Sequence, residues 1–233
     1  KEGLNKEDLI NAEKILNEYG FKTKLYDLRD LILEKPNNLI GKLDEAYVLV
    51  IEEFCNEKRR KSILKENLKY KWDNKYYCIR RKKVLNKHAR FNVCYDEKSQ
   101  EADYENKKGT IISYEDVPNI KKIKNALKVI LGSKGENLVC EGNLYYDINK
   151  TGIGWHGDAE RKIVFGCRIG KTHPICFKWW FQNRSFGKML TLDLNDGDAY
   201  IMSEKAVGYD WKCSRIATIR HSAGCQKYID LKK

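Results

Sequence analysis

The sequence has no apolar run that approaches the ~20 residues a helix needs to cross a bilayer, so we expect no membrane partner. It has eight cysteines but no CxxC pair, which argues against a structural zinc site. It also contains no internal repeat and no low-complexity tract. The 233 residues are 42% hydrophobic and 33% charged, which is typical of a globular protein with a sizeable core.

The cysteines are scattered and most lie beside apolar residues in strand-like runs. A free thiol in such a place behaves as a small hydrophobic side chain. We therefore expect reduced cysteines and an intracellular, reducing compartment, either cytoplasm or nucleus.

Acidic residues are scarce between residues 58 and 90, where 14 Lys or Arg face only two carboxylates. This segment alone carries a net charge of +12, which equals the net charge of the whole chain. Clustered cations attract phosphates, and aromatic faces can stack on bases. The segment therefore predicts DNA or RNA as a partner, and the alternative is a solvated face whose aromatics fill the core. The interleaved aromatics are Tyr70, Trp72, Tyr76 and Tyr77.

The N-terminal part of the chain has helical patterns. Residues 5–19 begin with an Asn cap and place apolar side chains on one stripe, and residues 25–34 predict a second short helix before Pro36. Residues 118–132 begin at a Pro and end at a Gly, which favours a third helix.

Short β-rich runs with turn signals between them follow Gly132. Together with the apolar, β-branched segment 46–54, they predict an α+β protein whose β core occupies residues 133–233. We divide the chain into an N-terminal helical segment, 1–44, and a main domain, 45–233. The runs are 138–146, 161–169, 175–182, 188–194, 198–203, 216–222 and 226–231.

The stretch GIGWHGDAERK, residues 152–162, places His156 and Asp158 two residues apart. On an extended segment such residues point the same way, so an imidazole nitrogen and a carboxylate oxygen can approach one ion. Gly152 and Gly154 relax the backbone beside them. The alternative is an ordinary solvated turn, because a His-x-Asp pair alone is a weak signal.

A metal site needs a third ligand, and two histidines with one carboxylate are typical of non-haem Fe(II) oxygenases. Three other histidines exist. His88 lies in the basic segment and His173 lies in a turn before Pro174, whereas His221 ends a strand-like run in the β core. We therefore predict His221 as the third ligand.

The segment NLYYDINKTGIGWHGDAER, residues 143–161, resembles the core of the AlkB-like 2-oxoglutarate/Fe(II)-dependent dioxygenases. The resemblance covers residues 138–231 in motif order, and GDAYIMS resembles the strand that precedes the third ligand in that family. It implies a double-stranded β-helix, or jelly roll, with the N-terminal helices packed outside and a nucleotide-recognition region before it.

The same resemblance implies roles for individual residues. His156, Asp158 and His221 would hold Fe(II), and Asn143 and Tyr145 match an Asn-x-Tyr pair that hydrogen-bonds 2-oxoglutarate. Without the motif order, Tyr145 would be interpreted as a core tyrosine and Asn143 as an edge residue.

Two features depart from the family pattern. The segment DWKCS, residues 210–214, lacks the His of the family's Trp-x-His pattern, so His221 comes late, through an insertion or in a metal-free site. No Arg follows His221 to pair with the far carboxylate of 2-oxoglutarate, and we assign that role to Lys227 on a predicted final strand. A Lys gives a point charge and not a bidentate fork. Arg215 and Arg220 are the alternatives.

The resemblance predicts an enzyme that uses O2 and 2-oxoglutarate to hydroxylate or demethylate a nucleic-acid base, with release of succinate and CO2. A base can be turned out of a strand to reach such a site. The first alternative is the same chemistry on a protein or small molecule, and the second is a nucleic-acid-binding module with a non-catalytic iron site. The candidate substrate-binding residues, for each of which packing is the alternative role, are Trp72, His88, Arg90 and Trp155.

Overall fold

The computed structural model describes residues 2–231 and divides the chain into two compact units. The first unit is built from Lys1–Asn56 and Gly154–Lys233, and the second unit is Glu57–Ile153. The division therefore falls at 56/57 and 153/154, whereas the sequence analysis placed a domain boundary after residue 44. Among the described residues no helix is both long and apolar enough to cross a membrane.

The elements follow one another in a mixed order of helices and strands, which confirms the α+β class. The helices are α1 (Lys6–Glu18), α2 (Glu57–Asn67), α3 (Pro118–Leu131), α4 (Glu204–Val207) and α5 (Gln226–Ile229). The strands are β1 (Thr23–Asp27), β2 (Tyr47–Ile51), β3 (Lys75–Cys78), β4 (Lys83–Asn86), β5 (Phe91–Asp96), β6 (Ile111–Ser113), β7 (Cys140–Leu144), β8 (Gly152–His156), β9 (Val164–Cys167), β10 (His173–Phe181), β11 (Arg184–Leu194), β12 (Ala199–Met202) and β13 (Thr218–Gly224).

The first sheet of the first unit has the order β1-β2-β12-β9, and each neighbouring pair is antiparallel. Its central strand β2 is apolar and almost entirely buried, as its β-branched sequence predicts. The predicted helix at 25–34 is wrong. Residues 23–27 pair with β2 instead, and only a 3-10 turn, Leu28–Leu31, follows. Leu28 is fully buried in that turn, so tertiary contacts override the local helical pattern.

The second sheet has the order β11-β10-β13-β8. Strand β10 is buried along most of its length, and Ile175, Phe177 and Trp179 share one face of it. The predicted strands at residues 138–222 are all present with shifted ends. The predicted final strand at 226–231 is wrong, because residues 226–229 form α5.

The second unit contains α2, α3, the hairpin β3-β4 and a sheet with the order β6-β5-β7. Helix α3 begins with Pro at its first turn and is followed by Gly132, as predicted. The unit contains 23 Lys and Arg against 13 Asp and Glu, so it is strongly cationic. Its core cluster consists of Val93, Tyr95, Ile112, Tyr114 and Val117.

Candidate metal centre

Two neighbouring strands of the second sheet carry the two histidines of the candidate site. His156 is the last residue of β8 and His221 lies within β13, beside it in the sheet. Their ring centroids are 4.4 Å apart. Asp158 follows β8 by two residues, so the couplet and the distant histidine of the sequence analysis come together in the fold.

The three side chains converge through their ligand atoms. His156 Nε2 lies 3.7 Å from Asp158 Oδ1, and His221 Nε2 lies 3.9 Å from Asp158 Oδ2. These separations are too long for hydrogen bonds. One ligand atom from each residue lies within 4.8 Å of the others, so the cluster could hold a metal ion. Among the described residues, His88 and His173 are not part of it.

The histidine nitrogens that face Asp158 are suited to bind a cation. His156 Nδ1 lies 2.7 Å from the Gly154 carbonyl oxygen, which can only accept a hydrogen bond, so Nδ1 carries the proton and Nε2 keeps its lone pair. Burial, first of all, and the neighbouring His156 and Arg161 hold the pKa of His221 well below its usual range. His221 is therefore neutral and can donate a lone pair.

Gly157, between the two ligands of the couplet, sets the path of the backbone to Asp158. A Cβ atom at Gly157 would lie 2.1 Å from the Gly208 carbonyl oxygen and 2.7 Å from Trp211 Cβ. The Asp158 amide donates to the Val207 carbonyl oxygen at 3.1 Å, which ties the same loop to α4. The sequence predicted backbone freedom at Gly152 and Gly154, whereas the constrained glycine in the structure is Gly157. A Gly between His and Asp was the available signal.

The donor set fits a divalent transition metal. Two neutral imidazoles and one carboxylate are the ligand types that Fe(II), Mn(II), Co(II) and Zn(II) accept. The side chains of all three residues are at most 23% exposed. Three such ligands on one side of an ion leave its remaining positions open to other molecules.

The predicted 2-oxoglutarate residues Asn143 and Tyr145 belong to the second unit, at the end of β7 and just after it. Asn143 is exposed, and its Oδ1 accepts a hydrogen bond from Arg90 Nε at 2.6 Å. The structure thus joins a predicted cofactor residue to a predicted substrate residue. Tyr145 is half-buried.

The predicted carboxylate anchor Lys227 lies on α5 and not on a strand, and its side chain is exposed. Its ammonium group lies 5.6 Å from the Tyr228 ring centroid. Arg215 is exposed in the turn before β13. Arg220 lies on β13 next to His221, and alternation along the strand directs it to the opposite face of the sheet.

The basic segment supplies a groove in the second unit. The groove has a volume of about 520 Å³ and lies along the β3-β4 hairpin. His88 is exposed at its edge, and the His88 carbonyl oxygen accepts a hydrogen bond from the Tyr146 hydroxyl at 3.0 Å. The lining residues are Tyr76, Cys78, Arg80, Arg81, Leu85, Asn86 and His88.

The two remaining substrate candidates have packing partners. Trp72 packs against the core cluster of the second unit and donates its indole N–H to the Asn67 carbonyl oxygen at 3.3 Å. Trp155 donates its indole N–H to the Ile229 carbonyl oxygen at 3.1 Å, and its ring centroid lies 6.2 Å from that of Trp180.

The fold and the site together define a mixed α+β protein with a two-histidine, one-carboxylate cluster whose histidines lie on neighbouring strands. Comparison with known proteins adds a family. The chain is 38% identical over 234 residues to "Uncharacterized protein R156" of Acanthamoeba polyphaga mimivirus, covering 98% of this chain and 88% of that protein. The chain belongs to the same family as this mimivirus protein. No established family model matches the chain.

Proposed function

We propose that this protein is an Fe(II)/2-oxoglutarate-dependent dioxygenase that acts on a nucleic-acid base. The observation that carries the proposal is the convergence of His156, Asp158 and His221, because the sequence resemblance to AlkB-like dioxygenases assigns these same residues to iron. When bound, Fe(II) and 2-oxoglutarate supply the O2-dependent oxidation of a C–H bond, with release of succinate and CO2.

The arrangement of the first unit supports a double-stranded β-helix. Its eight strands form two four-stranded sheets, as in a jelly roll. Strands far apart in sequence are neighbours in the second sheet, since β8 lies beside β13 and β13 beside β10. Such long connections are typical of Greek-key topologies.

The protein's own groups have defined tasks in this proposal. The Gly154 carbonyl holds the His156 ring in one tautomer, and the buried surroundings of His221 keep its imidazole unprotonated. The close approach of Gly157 to Gly208 fixes the loop that carries Asp158. The resemblance gives Asn143 and Tyr145 hydrogen bonds to 2-oxoglutarate, and Lys227 is the sequence-based choice for its far carboxylate.

The charge distribution supports nucleic acid as the substrate class. The groove on the β3-β4 hairpin combines Arg80 and Arg81, for phosphates, with Tyr76, whose ring is 43% exposed and free to stack on a base. A nucleic-acid ligand predicts binding that weakens steeply with salt.

The iron site is tested by anaerobic titration of the protein with Fe(II) and 2-oxoglutarate, followed by the weak visible charge-transfer band. We expect His221→Ala to abolish the band and His173→Ala, a second buried histidine on the neighbouring strand, to retain it. Loss in His173→Ala with retention in His221→Ala would remove the proposed third ligand.

The substrate class is tested separately by succinate release. We expect release to be stimulated by a methylated oligonucleotide and reduced in the double variant Arg80→Glu/Arg81→Glu, while Lys171→Glu, an exposed charge in the first unit, leaves it unchanged. Succinate release that is the same in wild type and in Arg80→Glu/Arg81→Glu would favour a protein or small-molecule substrate. Salt-sensitive oligonucleotide binding without succinate release would favour a binding module.

A further inference from the structure

Two cations face each other on the second sheet, on the side opposite the metal cluster. Lys178 of β10 and Arg220 of β13 are directly paired in the antiparallel register. Alternation along the two strands puts Lys178 and Arg220 on one face of the sheet, the outer side, and Phe177, Trp179 and His221 on the other face. Lys178 is only 7% exposed and Arg220 is partly buried, and their same-face neighbours Cys176 and Ser222 are fully buried.

Neither cation has a carboxylate partner among residues 2–231. Lys178 Nζ donates to the Gly187 carbonyl oxygen at 2.6 Å. Arg220 Nη2 donates to Asn183 Oδ1 at 3.0 Å. Both acceptors are neutral, so the two positive charges remain without a counter-charge.

Another buried lysine of the first unit has its charge paired with carboxylates. Lys205 is 6% exposed, and its ammonium group contacts Asp210 at 2.7 Å and Asp44 at 2.6 Å. Buried charges in proteins are normally paired in this way. Lys178 and Arg220 therefore differ from Lys205 of the same unit, because they lack a carboxylate partner.

Without a bound anion, the two positive charges of Lys178 and Arg220 destabilise the folded state. Like charges directly opposite on neighbouring strands repel each other. Burial lowers the pKa of Lys178, so the surrounding protein disfavours its charged form. An anion bound between the two side chains would remove both penalties.

Two indoles flank the arginine and add further donors. The Arg220 guanidinium carbon lies 4.4 Å from the Trp180 ring centroid and 5.2 Å from that of Trp211. Cation–π contacts at these distances hold the guanidinium plane in place. Arg220 Nε and both indole N–H groups are buried without an acceptor in the described part of the chain. This side of the sheet therefore has an excess of donors over acceptors.

We propose that Lys178 and Arg220 form a binding site for a phosphate group on the outer side of the second sheet. A phosphate offers more acceptor oxygens and more negative charge than a carboxylate, which matches two cations and surplus N–H donors. The neighbouring indole faces match a base, so the phosphate belongs to a nucleotide or to a polynucleotide. This site is separate from the metal cluster and does not rest on the dioxygenase proposal.

The test measures tryptophan fluorescence of the full-length protein during titration, at constant ionic strength set with NaCl. The probes are inorganic phosphate, a nucleoside monophosphate and a single-stranded oligonucleotide. We expect Lys178→Met and Arg220→Met to weaken binding of the preferred probe about 10-fold or more, as the loss of one charge-assisted hydrogen bond implies. Lys188→Met, an exposed cation on β11, should bind within about twofold of wild type.

Thermal melting separates a binding role from a structural one. Phosphate should raise the melting temperature of wild type and Lys188→Met, and leave that of Lys178→Met and Arg220→Met unchanged. Oligonucleotide binding much tighter than mononucleotide binding identifies a polynucleotide contact, and equal binding identifies a nucleotide site.

The proposal is overturned if both variants bind all three probes as tightly as wild type does. It is also overturned if 2-oxoglutarate, and not phosphate, binds with the same dependence on Lys178 and Arg220. His156→Ala should retain phosphate binding. The phosphate-binding result can therefore be interpreted even if the dioxygenase proposal fails.

Discussion

Replacing Gly157 with Ala gives the sharpest test of how the metal cluster is built. The added Cβ would lie 2.1 Å from the Gly208 carbonyl oxygen, a backbone atom that cannot rotate away. Because non-bonded atoms approach to about 3.5 Å at best, the loop carrying Asp158 must move by about 1 Å. Metal ligands must be held within about 0.5 Å of their working positions, so we expect metal affinity to fall about 10- to 100-fold.

The assay is titration of the protein with Co(II) alone, followed by its visible absorption. Gly154→Ala is a matched control, because it keeps the backbone carbonyl that contacts His156 and its added Cβ would meet nothing within 4 Å. Circular dichroism checks that both variants fold. Unchanged Co(II) affinity in a folded Gly157→Ala protein would refute the argument that this close approach positions Asp158.

Three further predictions concern stability, measured by chemical denaturation. Burial lowers the pKa of His173 to about 4, so the folded state keeps the ring neutral. The unfolded state binds a proton below about pH 6.5, so His173 should lower stability by up to about 1.4 kcal/mol per pH unit between pH 6.5 and 4. His173→Gln should reduce the pH slope by that contribution, while the contribution of the buried His221 remains. Lys205→Met should cost about 3 kcal/mol, because it leaves the Asp210 carboxylate buried without its cation. Trp72→Ala should cost about 3 kcal/mol through lost packing against the core cluster, and a loss below 1 kcal/mol would argue for a surface role.

The metal cluster could be predicted from the sequence because two of its ligands are close in the chain and few histidines compete for the third position. His156 and Asp158 lie two residues apart in the chain, and only three other histidines were available. His221 was favoured because β-branched residues around it indicate a strand in the core, and β13 confirms that strand. The capping pattern of α1 was equally local, since Asn5 and Asp8 satisfy each other's backbone amides.

The features that the sequence did not reveal depend on distant partners. The role of Gly157 depends on a carbonyl at Gly208, 51 residues later. Residues 226–229 were predicted as part of a strand, yet they form a helical turn whose Ile229 carbonyl accepts a hydrogen bond from Trp155. The pairing of Lys178 with Arg220 depends on strand register, which no local pattern fixes.

The position of the two histidines has a consequence for folding as well as for chemistry. His156 and His221 are 65 residues apart in the chain, and an ion bound by both would act as a reversible cross-link between them. Closing a loop of that length in the unfolded chain costs about 4 kcal/mol of entropy. The folded state would then gain stability from free metal, and cells depleted of that metal would hold less of the protein.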